Sequence, residues 1–255
     1  INTNDAQGDS YASIENLIGS QGFDNLRGTL EANWIFGASN VDYIFGRRGD
    51  DTLDGGIGDD VLFGGVGADV LIGGLNSDRA QYSESLTALV LDLGNPIRNT
   101  GEASGDTYNG IEGLAGSEFS DDITGDGNDN RLFGRAGSDS IYGLEGDDYL
   151  NGGAHSDRLE GGAGDDTLRG GTHADTFVFN IGDDVVEDMN LSHGDMLALD
   201  SAVLTQVIGM SGTQVLAQFG TIEDGCVVLD FDEGTSVSLE SIFSMSELGE
   251  SILVF

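Results

Sequence analysis

Aspartate is the residue of this chain whose number and spacing could do chemistry. The 255 residues contain 32 aspartates, and in two stretches an aspartate recurs at nine-residue intervals, as at Asp42, Asp51 and Asp60. Carboxylates can work as a general acid and base, or they can bind a hard cation through oxygen. Adjacent pairs such as Asp50-Asp51 and Asp165-Asp166 could imitate a glycosidase dyad. Their repetition favours metal binding instead.

The remaining composition excludes several classes of protein. The formal net charge is −37, from 46 acidic residues against nine basic ones that are all arginine, which argues against binding to nucleic acid. Glycine supplies 42 residues and proline one, so collagen and proline-stiffened linkers are excluded. The single cysteine, Cys226, cannot form an internal disulfide. No run approaches the roughly 18 apolar residues of a membrane span, so none is expected.

The elements that position these aspartates are repeats on two scales. A shift of 97 residues aligns residues 8–11 with 105–108, and the match runs without a gap to Asp78 and Asp175. Within each copy, seven nonamers follow one another from Gly19 and from Gly116. Position six is aspartate or, at two places, asparagine, and position eight is aliphatic or phenylalanine in nearly all. Ala80 breaks this rule, which indicates that the first series ends there.

The pattern G-G-x-G-x-D-x-U-x, where U is apolar, resembles that of the RTX (repeats-in-toxin, haemolysin-type calcium-binding) family. The resemblance implies an all-β fold of tandem calcium-binding parallel β-rolls, a solenoid, with a β-rich insert and a C-terminal β cap. It implies two nonamers per right-handed coil, each with a six-residue turn and a three-residue strand. Calcium ions would then lie between turns on the same side, which are two nonamers apart in the sequence.

The residue types fit that architecture. Turns this tight need positive φ at several positions, which glycine adopts without steric cost. In each strand position eight points inward, so alternate nonamers stack on two facing sheets. In the first copy these residues are Leu26, Ile44 and Leu62, facing Ile35, Leu53 and Leu71; in the second they are Ile123, Ile141, Leu159 and Phe177, facing Leu132, Leu150 and Leu168. The predicted core is one side chain wide.

Such a core is too thin to fold a roll by itself. Burial of one apolar side chain contributes about 1.5–3 kcal/mol, whereas ordering each of nine backbone residues costs about 1–2 kcal/mol. Facing carboxylates on coils about 4.8 Å apart repel by roughly 3 kcal/mol at an effective dielectric constant near 20. Calcium reverses this repulsion because it takes six to eight oxygen ligands. We therefore expect the metal-free roll to be unfolded.

The resemblance also implies the ligands. One turn gives the carbonyls of positions two and four with the carboxylate of position six, and the turn two nonamers later gives the carbonyls of positions one and three with its own carboxylate. In the first copy Ala38, Asn40 and Asp42 face Gly55, Ile57 and Asp60; Arg47, Gly49 and Asp51 face Gly64, Val66 and Asp69; and Gly56, Gly58 and Asp60 face Gly73, Leu75 and Asp78. In the second copy Arg135, Gly137 and Asp139 face Gly152, Ala154 and Asp157; Leu144, Gly146 and Asp148 face Gly161, Ala163 and Asp166; and Gly153, His155 and Asp157 face Gly170, Thr172 and Asp175.

Departures from the pattern predict weaker sites in the opening coils. Asn33 and Asn130 replace the aspartate of position six, and Phe119, Glu31 and Asn40 replace the glycine of position four. With these coils binding weakly or not at all, we expect about six to nine calcium ions in total. No other cofactor is expected.

The pattern divides the chain into five parts. We expect a partial β cap at 1–18, a first roll at 19–81, a β insert joining the rolls at 82–115, a second roll at 116–188, and a C-terminal cap with a probable secretion signal at 189–255. Strands are expected at 86–93, 108–114, 215–219, 226–231 and 236–239. Residues 176–199 resemble the tail that closes the rolls of serralysin-type proteases, in which Asp184 gives one more ligand.

The segment 1–18 repeats only the second half of the insert, so we expect an upstream domain of a longer parent protein. No charged-then-apolar leader opens the chain. Residues Glu250 to Phe255 are similar to the uncleaved C-terminal address of type I secretion, with an ordinary final strand as the alternative. The resemblance therefore implies an extracellular protein whose partners are calcium and a type I secretion apparatus.

The leading hypothesis is a non-catalytic module that folds on extracellular calcium and supports the export and stability of a larger protein. No catalytic residue is predicted, because the three histidines, His155, His173 and His193, lack an H-E-x-x-H motif and suit exposed neutral positions. One alternative is the roll module of a secreted enzyme, such as a polysaccharide epimerase or lyase, a metalloprotease or a lipase. Another is an adhesion or ice-binding roll.

Overall fold

The computed structural model describes residues 15–202, 204–224, 226–232, 234–242, 244–246 and 248–255. Within the chain, Ile1–Glu118 and Phe119–Phe255 form two compact units. The predicted cap at 1–18 lies almost entirely outside the described residues. Among those residues, no helix is both long enough and apolar enough to cross a membrane.

The first unit is a roll of parallel strands. In chain order its strands are β1 (Asn16–Ile18), β2 (Asn25–Arg27), β3 (Trp34–Ser39), β4 (Tyr43–Arg48), β5 (Thr52–Ile57), β6 (Val61–Val66), β7 (Val70–Leu75), β8 (Arg79–Gln81), β9 (Val90–Asp92), β10 (Thr107–Asn109) and β11 (Gly113–Ala115). Apart from β9, they alternate between two parallel sheets, ordered β1-β3-β5-β7-β10 and β2-β4-β6-β8-β11. Each nonamer therefore crosses from one sheet to the other, as the repeat predicts.

The second unit continues the same pattern and then changes it. Its strands are β12 (Asp122–Thr124), β13 (Arg131–Ala136), β14 (Ser140–Glu145), β15 (Tyr149–Ala154), β16 (Arg158–Ala163), β17 (Thr167–Thr172), β18 (Thr176–Phe179), β19 (Gly182–Val186), β20 (Met196–Leu199), β21 (Gly220–Glu223), β22 (Cys226–Asp232), β23 (Thr235–Leu239) and β24 (Ile252–Val254). One sheet runs β12-β14-β16-β18-β20-β24 and the other β13-β15-β17-β19-β23-β22-β21. Among the described strands, only β21, β22 and β23 pair in antiparallel fashion.

The register of the strands confirms the predicted core. Ile44 pairs with Leu62 and Leu53 pairs with Leu71, so that residues two nonamers apart are neighbours in each sheet. In the second unit Ile141 pairs with Leu159 in the same register. All position-eight residues, from Leu26 in the first copy to Phe177 in the second, are at most 1 % exposed. The core of each roll is therefore a single column of apolar side chains on each of its two sheets.

The strands of the middle coils are longer than the resemblance implies. They span six residues, such as Thr52–Ile57, because the ladder continues from the end of one nonamer into the first three residues of the next. Within this strand Leu53 and Gly55 are buried and their neighbours are more exposed. A glycine at position one thus keeps the inward-facing alternation of the strand without adding a side chain.

The segment between the rolls contributes one more coil to the first unit. After β9 come two 3₁₀ turns, Pro96–Arg98 and Gly101–Ala103. β10 then pairs in parallel with β7, and β11 with β8. The strand expected at 86–93 is only three residues long, and the one expected at 108–114 is two separate strands.

The cap contains an α-helix where the sequence predicts a strand. Residues 215–219 belong to α1 (Gly212–Phe219), so that prediction is wrong. A capping box explains the helix, because the Ser211 and Gln214 side chains each bond the backbone of the other, and the S-x-x-Q motif was a readable signal. The strands expected at 226–231 and 236–239 are confirmed as β22 and β23.

Candidate calcium sites

The turns hold the backbone in the left-handed region that the glycines suggest. Gly56 and Gly58, at positions two and four of one turn, have φ values of +102° and +150°. The same region is kept where another residue replaces glycine: φ is between +68° and +92° at Ala38, Asn40, Arg47, Asn76, Arg135, Leu144, His155 and His173. A left-handed conformation costs a non-glycine residue roughly 1–2 kcal/mol, so the turn geometry is imposed by the surrounding coils.

Leu144→Gly is expected to stabilise the calcium-loaded protein by about 1 kcal/mol. Leu144 has a φ of +91° and its side chain is 48 % exposed, so glycine relieves strain and gives up little burial. Leu144→Ala is the matched control, because it removes the same side chain and keeps the Cβ. Thermal unfolding in calcium measures both variants. If the glycine variant were no more stable than the wild-type protein, this turn would not be strained.

The aspartates of position six form a ladder along the inside of each roll. The Oδ1 atom of Asp60 accepts a hydrogen bond of 2.7 Å from the backbone N–H of Asp42, one coil earlier. The same bond joins Asp139 to Asp157 at 2.8 Å and Asp148 to Asp166 at 2.9 Å. It repeats at Asp51 to Asp69, Asp60 to Asp78, Asp157 to Asp175 and Asp166 to Asp184. The backbone therefore fixes one oxygen of each carboxylate and orients the other.

The second oxygen of these carboxylates has no protein partner. Among the described residues, eleven such Oδ2 atoms are buried and unpaired, at Asp42, Asp51, Asp60, Asp69, Asp78, Asp139, Asp148, Asp157, Asp166, Asp175 and Asp184. Leaving one buried acceptor without a partner costs about 1–3 kcal/mol, and a charged one costs more. The summed free-energy cost of eleven such oxygens is too large for a fold in which nothing binds them. A cation that accepts these oxygens as ligands removes the cost.

The position-one glycines leave room for such a cation. A Cβ on Gly37 would lie 2.6 Å from the carbonyl oxygen of Gly55 and against Oδ2 of Asp42. The first oxygen comes from one coil and the second from the coil before it, as the predicted ligand sets require. The same convergence of a carboxylate and a carbonyl is seen for Asp51 with Gly64, Asp139 with Gly152, and Asp148 with Gly161.

At four of the six predicted sites the structure brings together an aspartate oxygen from one coil and a carbonyl oxygen from the other, and at two it shows the oxygen of one coil; the ligand sets stay predictions. These two are the site that pairs Asp60 with Asp78 and the site that pairs Asp157 with Asp175. In them the unpaired Oδ2 atoms of Asp60 and Asp157 lie against Gly55 and Gly152. Among the described residues no three His, Cys, Asp or Glu side chains come close enough to hold a metal ion alone. The main-chain carbonyls beside these carboxylates can supply further ligands, and they are the hard oxygen donors that calcium prefers.

Some of the predicted carbonyl ligands are already in use. The carbonyls of Val66, Leu75, Ala154 and Ala163, at position three, accept hydrogen bonds of 2.9–3.2 Å from the N–H of position four one coil earlier. A carbonyl oxygen has two lone pairs, so each keeps one for an ion. The remaining predicted ligands at positions two and four, such as Arg47 and Gly49, stay predictions of the sequence.

Without a metal, the ladder carboxylates hold protons unusually tightly. Burial, together with repulsion from nearby acids such as Asp69 and Asp121, raises the pKa of Asp51 to about 6 and that of Asp139 to about 7. Burial also raises the pKa of Asp157 to about 8, with added repulsion from Asp139 and Asp175. Both causes act on the charged form. A divalent ion in these turns would remove both.

The asparagine coils differ in the way the sequence predicts. Oδ1 of Asn33 accepts a hydrogen bond of 2.6 Å from Thr29 N–H, and Oδ1 of Asn130 accepts one of 2.7 Å from Asp126 N–H. Each of these amide oxygens therefore has a donor in its own turn and carries no charge, unlike the unpaired Oδ2 atoms of the aspartate coils. Of Glu31, Asn40 and Phe119, which replace the position-four glycine in the opening coils, Asn40 alone has a positive φ, so its turn keeps the geometry of the glycine turns.

Sequence reasoning missed a second ladder, formed by the aspartates of position five. Oδ1 of Asp147 accepts a hydrogen bond of 2.9 Å from the backbone N–H of Asp165, one coil later. In the position-six bonds, by contrast, the donor N–H lies one coil earlier than the carboxylate. Asp50, Asp59, Asp129 and Asp165 make the same bond with residues 68, 77, 147 and 183. The repeated Asp-Asp pair was the available signal. The two residues of each pair thus tie one coil to both of its neighbours.

Comparison with known proteins agrees with this geometry. The family model described as the RTX calcium-binding nonapeptide repeat, in four copies, matches residues 18–53, 45–80, 124–154 and 151–186. These matches coincide with the two rolls and their aspartate ladders. The chain is an RTX repeat protein. Calcium binding is therefore a property of its repeats, while the number of ions remains a prediction.

Solved structures similar to this RTX chain include two proteins. The extracellular lipase LipA from Serratia marcescens is 20 % identical over 97 % of the chain and 41 % of its own length, with a TM-score of 0.40. The AlgE6R3 subunit of the Azotobacter vinelandii mannuronan C5-epimerase is 24 % identical over 53 % of the chain and 78 % of its own length, with a TM-score of 0.22. The RTX chain thus spans about two fifths of the lipase. No curated protein matches it.

Proposed function

We propose that this RTX chain is a non-catalytic module whose rolls fold when calcium reaches them, within a larger secreted protein. The observation that carries the proposal is the row of eleven buried Oδ2 atoms without a protein partner. In a folded roll without metal, these oxygens would be charged and unsatisfied, or protonated. Calcium supplies the missing partner at each turn.

The charge of the chain explains why folding would wait for the ion. With 46 acidic residues against nine basic ones, the metal-free chain repels itself and favours extended conformations. Each bound ion adds two positive charges at the place where two carboxylates approach. Because a site needs oxygens from two successive coils, ions and coils are expected to assemble together, and the transition should be cooperative.

We propose that the unfolded form is the one exported, by a type I apparatus, and that the folded form works outside the cell. A chain that is extended at the low calcium concentration of the cytosol can be threaded through a channel. The segment Glu250 to Phe255 is the proposed address, and in the folded chain Ile252–Val254 is a strand parallel to β20. The segment would therefore be accessible for recognition before folding, not after it.

A calcium titration tests the folding step. Far-UV circular dichroism of the protein in a chelator is expected to lack most of its sheet signal, and added calcium should restore the signal in one cooperative transition. Magnesium is the control, because it requires near-octahedral geometry at shorter distances and keeps its waters, so it should restore little. Identical spectra in chelator and in calcium would defeat the proposal.

A further inference from the structure

We call each aspartate of the ladder that accepts or extends the bonds between coils a rung. Three rungs differ from the eleven whose Oδ2 atom is unpaired. The Oδ2 atom of Asp24 accepts a hydrogen bond of 2.9 Å from the Ser20 hydroxyl. The Oδ2 atom of Asp195 accepts a hydrogen bond of 2.7 Å from Asn190 N–H, and the Oδ2 atom of Asp106 accepts one of 2.7 Å from the Tyr82 hydroxyl. All three rungs are at the end of a row of coils. Here the protein itself supplies the donor that the other rungs lack.

Asp106 is a true rung although it lies outside the nonamers. Its Oδ1 accepts a hydrogen bond of 2.9 Å from Asp69 N–H, the same bond that the repeats make between every second nonamer, but here the sequence separation is 37. The extra residues are the insert between β8 and β10. Because β10 pairs with β7, the coil that carries Asp106 stacks on the roll in the position of a further repeat.

A directed chain of donors ends on the Asp106 carboxylate. The Tyr82 hydroxyl uses its one proton on Asp106, so in its 2.7 Å contact with Tyr108 the Tyr108 hydroxyl must be the donor. Tyr108 in turn accepts 2.9 Å from Asn99 Nδ2. Burial raises the pKa values of both tyrosines, so both hydroxyls keep their protons. Donors aligned in series polarise one another toward the negative charge.

The insert also buries apolar side chains. Tyr82, Leu89, Leu91 and Ala103 are at most 2 % exposed, and the turn Gly101–Ala103 lies against β6 of the roll. The backbone is tied internally as well, since Asp92 N–H donates 2.7 Å to Oδ1 of Asn99. The insert therefore buries several apolar side chains where a roll nonamer buries one.

We propose that Tyr82 is a positioning residue that satisfies the Asp106 carboxylate in place of a calcium ion, so that residues 79–115 keep their fold without calcium and end the first roll's row of ions. This inference rests on the proposed calcium-dependent folding of the rolls. It gives the first roll a preformed coil, in which β11 pairs with β8 and to whose β10 the strand β7 can pair when calcium arrives. The row of calcium sites would then grow from a fixed end.

Hydrogen exchange of the full chain, read by mass spectrometry in chelator and in calcium, tests the proposal. In chelator, the amides of residues 90–106 are expected to exchange at least about tenfold more slowly than those of residues 43–72. Tyr82→Phe should remove most of that difference, while the calcium-loaded rolls stay protected. Tyr142→Phe, at a half-buried tyrosine of the second unit, is the matched control and should change nothing in the insert.

Several outcomes would overturn the assignment. Equal exchange of the insert and the rolls in chelator would show that the insert also needs calcium, and an unchanged Tyr82→Phe variant would show that Tyr82 is not the donor that matters. Tyr108→Phe keeps Tyr82 on Asp106 and should reduce protection less than Tyr82→Phe does; the reverse order would also overturn it. Calcium-independent protection of residues 43–72 would instead defeat the proposed function of the rolls.

Discussion

Asp60→Asn is expected to remove two calcium ions and to raise the calcium concentration at the folding midpoint about tenfold or more. Asp60 belongs to two predicted sites, one with Asp42 and one with Asp78. In the variant, the amide oxygen can still accept the hydrogen bond from Asp42 N–H that Oδ1 accepts now. The NH₂ group would replace Oδ2, which is buried and unpaired, and would point a donor at the ion. Equilibrium dialysis counts the ions, and circular dichroism gives the midpoint.

Asp59→Asn is the matched control. It makes the same chemical change one residue away, on an exposed side chain whose Oδ1 accepts 3.1 Å from Ser77 N–H. Its amide oxygen can keep that bond, so we expect the same number of ions and a midpoint within about twofold of wild type. Similar losses in both variants would mean that calcium responds to total negative charge and not to the ladder.

Acidification from pH 8 to pH 5.5 is expected to weaken calcium binding by orders of magnitude. In the metal-free fold, burial raises the pKa of Asp51 to about 6, of Asp148 to about 7, and of Asp157 and Asp184 to about 8. Calcium binds the deprotonated form, so where acid populates the protonated metal-free fold, each carboxylate below its pKa costs about tenfold in affinity per pH unit. The opposite sign holds for the metal-free fold. Its carboxylates bind protons more strongly than those of the unfolded chain, so its stability is greatest in acid and is lost as the pH rises through 6–8.

Calorimetry in two buffers of different ionisation enthalpy measures the linkage. At pH 5.5, where acid favours the protonated metal-free fold, binding is expected to release protons to the buffer, and at pH 9, where the metal-free chain is unfolded and its carboxylates are ionised, the release should be close to zero. Circular dichroism in chelator should also show more sheet at pH 5.5 than at pH 8. Binding that is independent of pH, with no proton release at pH 5.5, would contradict the burial of these carboxylates in the sites.

The sequence predicted the repeated part of the fold because each position of the nonamer has one physical task. Leu53 is apolar and faces inward, Gly56 adopts positive φ, and Asp60 lies in a turn, so their spacing determines the register of the strands. The unpaired Oδ2 atoms follow from the same register. The role of the position-five aspartates did not, because an exposed carboxylate at that spacing has no obvious partner until the coils are stacked.

The non-repeating parts were predicted less well, since tertiary contacts decide them. Residues 215–219 are largely apolar and were predicted to form a strand, yet the capping box at Ser211 and the packing of Val215 and Leu216 make them a helix. The link between Asp106 and Asp69 spans 37 residues and carries no periodic signal. The part played by Tyr82 likewise depends on the fold that brings it to Asp106.

Anomalous diffraction from crystals grown in calcium tests the central claim most directly. The account predicts peaks between the turns of each roll, bound by the Oδ2 atoms that now lack a partner, as at Asp42, Asp51, Asp139 and Asp148. It predicts no peak beside Asn33, Asn130 or Asp106, whose oxygens the protein already satisfies. Turns that stay empty in abundant calcium, with their aspartates hydrogen-bonded only to protein or water, would contradict it.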